Sequence, residues 1–173
     1  MKCGFAALLA MFALGAANVE AAPLEVSQAM PGAMLVGEAR YSFVSLPMFD
    51  AALWSRDGAF AWDRPFALSL TYRRAFTAEA LAERTLSEME ARGDAPGESL
   101  EPLRARLFAC YVDVAAGDRI TAVSQGANRA AIFFNGVQQC TLEWTDLRPT
   151  FFGIWLDGRG GSRAFSERLR GAR

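Results

Sequence analysis

The 173-residue chain contains no histidine. That absence removes imidazole acid–base catalysis, serine–histidine–aspartate triads and the commonest metal ligand. Lys2 is the only lysine, so a bound carboxylate or phosphate meets planar arginine guanidinium groups. Setting aside Cys3, which precedes an apolar run, two cysteines remain, Cys110 and Cys140. Two cysteines without histidine make no zinc or haem site, and no cofactor or metal is expected. In an oxidising compartment the two can pair as a disulfide; otherwise they are small buried apolar groups. Glu88 lies at the edge of a helical apolar stripe, with Arg84 and Arg92 four residues to either side. It either faces a cation across a cleft or sits solvated between those arginines. Phe133, Phe134, Trp144, Phe151, Phe152 and Trp155 either line a pocket or fill the core.

The elements that must position these groups are signalled locally. Met34–Ser45 alternates as a strand, with Ala39, Tyr41 and Phe43 on one face and Arg40, Ser42 and Val44 on the other. Pro47 interrupts it, Met48–Ser55 resumes as a second strand or the continuation of the first, and Pro65–Arg74 is a further strand with Phe66, Leu68, Leu70 and Tyr72 on one face. Thr77 caps a helix running to about Arg92, where Gly93 stops it; Ala80 stands where a full capping box wants Glu. After a linker at Asp94–Gly97, a second helix opens near Glu98 or Ser99 and tolerates Pro102 in its first turn. Arg119–Ser124 and Ala130–Phe134 are strands, and Asn135-Gly136 predicts a type I′ hairpin into Val137–Trp144. A helix follows near Leu147, and Ser162 caps a last one ending near Arg170. Ala22–Ala33 carries little periodicity, and Phe60-Ala61-Trp62 is a short aromatic piece. The order predicts an α+β domain, an antiparallel sheet packed against a helical layer, with no repeat and no second domain.

Composition sets the outer bounds. With 52% apolar residues and 12% aromatic residues the chain is globular. Its 18 basic and 19 acidic residues give a net charge of −1, which speaks against a nucleic-acid partner. Met1-Lys2 and the apolar run Gly4–Ala17 form the start of an export signal, with small residues at Val19-Glu20-Ala21 for cleavage after Ala21. The run is short of the ~20 residues a membrane-spanning helix needs. Residues 1–21 are therefore expected as a signal peptide, 22–173 as the mature domain, and the periplasm as its location, with no stable membrane span after cleavage.

Several motifs agree with one family in order. Gly117-Asp118-Arg119-Ile120-Thr121, Phe133-Phe134-Asn135-Gly136 and Phe151-Phe152-Gly153-Ile154-Trp155-Leu156-Asp157, with Phe49–Trp54 and Leu81–Thr85 upstream, resemble the bacterial chalcone isomerase-like proteins. The resemblance runs from about Val36 to the C-terminus. It implies the chalcone isomerase fold, an open-faced sheet against helices with a ligand cleft between. Plant relatives close a chalcone into a flavanone; others bind fatty acids. Gly37-Glu38-Ala39-Arg40 is similar to the enzyme's arginine segment, which implies Arg40 as an anion anchor. Asp50 stands where the enzyme has a threonine, Leu81 and Glu88 replace its helical tyrosine and asparagine, and Thr150 matches its last pocket hydroxyl. With the phenol and amide gone, the resemblance implies a binder of a fatty acid or similar anionic apolar molecule. The alternative is an isomerase, an intramolecular lyase acting on a chalcone-like phenolic or enone substrate.

Overall fold

A computed structural model describes residues 21–93, 100–159 and 163–172. The expected signal segment, apart from its last residue, the linker at 94–97, the helix start at Glu98 or Ser99 and the Ser162 cap lie outside the described residues. Six antiparallel strands follow one another across a single sheet in sequence order: β1 Met34–Phe43, β2 Leu46–Ser55, β3 Phe66–Tyr72, β4 Arg119–Ser124, β5 Arg129–Phe134 and β6 Val137–Glu143. The chain is thus an antiparallel α+β fold, as its pattern of elements requires.

The helices α2 Ala78–Ala91, α3 Glu101–Cys110, α4 Gly153–Leu156 and α5 Arg163–Leu169 share one core with the inward sheet face. Leu68, Leu70 and Tyr72 of β3 point into that core, as do Ile120 and Ala122 of β4, because side chains two apart on a strand share a face. Thr77 Oγ1 accepts from the Ala80 N–H at 3.1 Å and starts α2. Asn135 and Gly136 both have positive φ, so the β5–β6 hairpin has the turn its sequence demands. A wide turn, Arg148–Phe152, precedes α4 and buries Phe151 and Phe152.

Two joints fix the helical layer. Cys110, at the end of α3, is bonded to Cys140 of β6, with their Cα atoms 5.4 Å apart. Arg92, just past α2, buries its guanidinium against α4, donating to the Gly153 carbonyl and to Asp157 Oδ1, both at 2.7 Å. Partial burial pushes the Asp157 carboxyl up, yet the hydrogen bonds from Arg92 outweigh it and hold the group down to about 2. A Cβ on Gly153 would overlap that guanidinium. Arg92 is therefore committed to α4, correcting the expectation that it flanks Glu88. Gly37 has a different constraint: a Cβ there would lie 2.3 Å from the Arg168 carbonyl oxygen, so glycine lets the end of α5 close onto β1.

The outer sheet face is covered by an element the sequence reading left irregular, the short helix α1, Leu24–Ala29. Val26 packs on Trp54, Ala67 and Val123, and Phe133 joins this outer cluster instead of any pocket. Beside it the buried Glu25 carboxylate accepts from Arg119 Nε at 2.9 Å and from Thr121 Oγ1 at 2.7 Å. Thr121 in turn meets Ser69 Oγ at 3.1 Å. This non-local network ties α1 to the sheet.

Candidate ligand-binding cavity

Between the inward sheet face and the helical layer lies a cavity of about 410 Å³, within the size range of small-molecule sites. Its walls are mostly apolar: Phe49, Leu70, Ile120, Phe151, Trp155 and Phe165 contribute from six different elements. Among the lining residues Phe43, Ala80 and Arg84 are exposed and mark the rim, whereas Tyr72, Thr85 and Tyr111 are buried and form the floor.

Arg84 and Glu88, one turn apart on α2, form an ion pair at the rim with side chains 69% and 22% exposed. A guanidinium has five N–H donors in a planar fork, and one carboxylate does not use them all. At the floor, Thr85 Oγ1 donates to the Leu81 carbonyl at 2.8 Å and lies 3.2 Å from the Tyr111 hydroxyl. Because the single Thr85 proton is committed to Leu81, Tyr111 is the donor of that second bond. Burial pushes the Tyr111 phenol up to about 12. Burial, and then the neighbouring Tyr111, raise Tyr72 as well. Both phenols are therefore neutral donors at physiological pH. Among the described residues the Tyr72 hydroxyl has no hydrogen-bond partner. The cavity thus offers a long apolar wall, a cation at the rim and, at depth, neutral phenols of which Tyr72 has an uncommitted hydroxyl.

The expected site residues divide. Leu81 and Glu88 line the cavity. Arg40 and Asp50 do not, which overturns their expected place in the cleft. They are directly opposed across β1 and β2, one position out of phase with the cavity-lining Tyr41 and Phe49. A one-residue offset on a strand reverses the face. Arg40 Nε donates to Asp50 Oδ1 at 2.6 Å, and Arg73 Nε donates to Oδ2 at 2.6 Å. Partial burial pushes the Asp50 carboxyl up, but its hydrogen bonds to Arg40 and Arg73 hold it below the ordinary value. Of the two settings open to Glu88, a cation across the cleft or its flanking arginines, the ion pair with Arg84 is the one formed. Thr150 is buried in the wide turn and does not line the cavity. Of the six aromatics weighed as a pocket set, Phe151 and Trp155 line it.

The sequence reading missed Arg84, Thr85, Tyr72 and Tyr111 as cavity groups. For Tyr72 the signal was present, since it shares a face with Leu68 and Leu70. For Tyr111 there was none, because it follows α3 in irregular chain.

No family model matches the sequence, and no curated protein does. The crystal structure of a fatty-acid binding protein from Arabidopsis thaliana is similar in fold, with a TM-score of 0.65 over 82% of this chain and 88% of that one. This is the chalcone isomerase-like fold. The two sequences are only 7% identical, so the likeness extends to architecture alone.

Proposed function

We propose that this chain is a non-catalytic binding protein for a fatty acid or a similar anionic amphiphile, related to the bacterial chalcone isomerase-like proteins. The observation that carries the reading is the cavity itself: apolar walls, a guanidinium at the rim and neutral phenols at the floor. An acyl chain fills the walls, its carboxylate stays at the rim beside Arg84, and no step requires proton abstraction. The fatty-acid binding named for the Arabidopsis protein supports this choice of ligand. Export to the periplasm, through the segment 1–21, belongs to the same reading. The Cys110–Cys140 disulfide supports it, because disulfides persist in oxidising compartments.

The test is calorimetric titration of delipidated protein with saturated fatty acids of increasing length. One-to-one binding is expected, strengthening by about 0.8 kcal/mol per methylene until the cavity is full. Affinity independent of chain length, or no saturable binding, would overturn the proposal. Incubation with a chalcone should give cyclisation at the background rate, and a clear enzymatic rate would favour the isomerase alternative.

A further inference from the structure

The β1–β2 hairpin is unlike the other tight hairpin of this chain. The β5–β6 turn places Asn135-Gly136 at positive φ, the residues that tolerate it. The β1–β2 turn places Val44 and Ser45 at φ 47° and 66°. A β-branched residue in the left-handed region is a steric outlier, and such outliers persist where something other than folding selects them. At this tip Phe43, Val44 and Leu46 are 61%, 78% and 51% exposed, three large apolar side chains held out in solvent. The same hairpin forms part of the cavity wall through Phe43 and Met48. On the other side, Arg40 and Pro47 of the hairpin and Arg73 and Arg74 just past β3 surround a shallow recess, with Asp50 accepting from Arg40 and Arg73.

We propose that this hairpin docks on an anionic lipid bilayer, inserting its apolar tip while the arginines beside it meet lipid phosphates. Exposed apolar side chains that bury at the bilayer boundary beside cations are what interfacial anchors use, and guanidinium is well matched to phosphate. Docking there sets the cavity rim against the membrane, so an acyl chain moves between bilayer and cavity without crossing water. The inference rests on the cavity being a lipid site, but its assay does not depend on bound ligand.

The experiment is co-sedimentation of the ligand-free protein with two vesicle types. One is phosphatidylcholine alone; the other is equal parts phosphatidylcholine and phosphatidylglycerol. Binding is expected to the mixed vesicles, weakening as salt is raised. The double variant Arg73→Ala, Arg74→Ala should partition about fivefold more weakly per arginine removed and lose most of the salt dependence. Val44→Gly with Leu46→Ser, neither of which lines the cavity, should abolish sedimentation. Val44→Gly alone should also raise the melting temperature, because glycine relieves the positive φ. That rise separates loss of docking from loss of folding. Equal sedimentation with both vesicle types, or full sedimentation of the tip variant, overturns docking. So does a wild-type dimer that Val44→Gly converts to monomer, because the tip would then serve a second copy. Fatty-acid titration of the same proteins keeps the two proposals apart: intact titration without vesicle binding defeats docking alone, and vesicle binding without titration defeats the cavity reading alone.

Discussion

Replacing Arg84 is the sharpest probe of how the cavity reads its ligand. The Arg84 side chain is 69% exposed and already shares an ion pair with Glu88, so it cannot act as a fully buried anchor. A hydrogen bond to a charged group is worth about 1.5–3 kcal/mol when shielded, whereas exposed pairs give about 0.2–1 kcal/mol. A carboxylate held at the rim, with apolar wall on one side and water on the other, falls between. Arg84→Ala should therefore cost about 0.5–1.5 kcal/mol, roughly 2- to 12-fold in Kd for a saturated fatty acid. The loss should shrink at high salt. The alcohol of the same chain length should bind Arg84→Ala as it binds the wild type, since it carries no charge to lose. Glu88→Gln should strengthen acid binding by removing the competing carboxylate. Arg40→Ala should leave both ligands unchanged, because its guanidinium is on the far face with Asp50. Calorimetric titration of acid and alcohol against each variant measures all of these. A larger loss from Arg40→Ala than from Arg84→Ala, or equal losses for acid and alcohol at Arg84, would refute the assignment.

Two further predictions concern the frame around the cavity. Glu25→Gln should destabilise the fold by about 2–3 kcal/mol, below the usual range for breaking a buried pair because Arg119 is partly exposed. Burial raises the Glu25 carboxyl, but the hydrogen bonds from Arg119 and Thr121 hold its folded-state pKa below the unfolded one. Its contribution is then present above the ordinary glutamate pKa, about 4.3, and fades as pH falls through the lower folded value. Urea unfolding of wild type and variant should accordingly differ at neutral pH and converge in acid; a pH-independent gap would contradict the pairing. Cutting the Cys110–Cys140 bond, 30 residues apart in sequence, should remove about 3.5 kcal/mol by the loop-closure relation. Unfolding of the oxidised protein and of Cys110→Ala with Cys140→Ala checks this, and equal midpoints would show that the bond contributes nothing.

The sequence by itself determined the order of the strands, most of their bounds and the faces on which side chains share company. These follow from short-range rules: period-two alternation, Thr77 as a cap, Asn135-Gly136 as a turn. Tyr41 and Phe43 were placed together, and Arg40 apart from them, from the residues alone. Which of those faces meets the helices was decided by the tertiary structure, because alternation labels two faces without saying what packs on either. The resemblance pointed to Arg40. The pairing of β2 with β1 on one side and β3 on the other instead brings Arg40, Asp50 and Arg73 into one outward cluster and turns Tyr41, Phe49 and Tyr72 inward. Helix α1 was illegible for a related reason. Its six residues have no periodicity to read, and Glu25 is held by Arg119 and Thr121, which lie 94 and 96 residues away in sequence. Isolated helices of that length do not form in water, so contacts made only when the sheet has assembled bring this one into being.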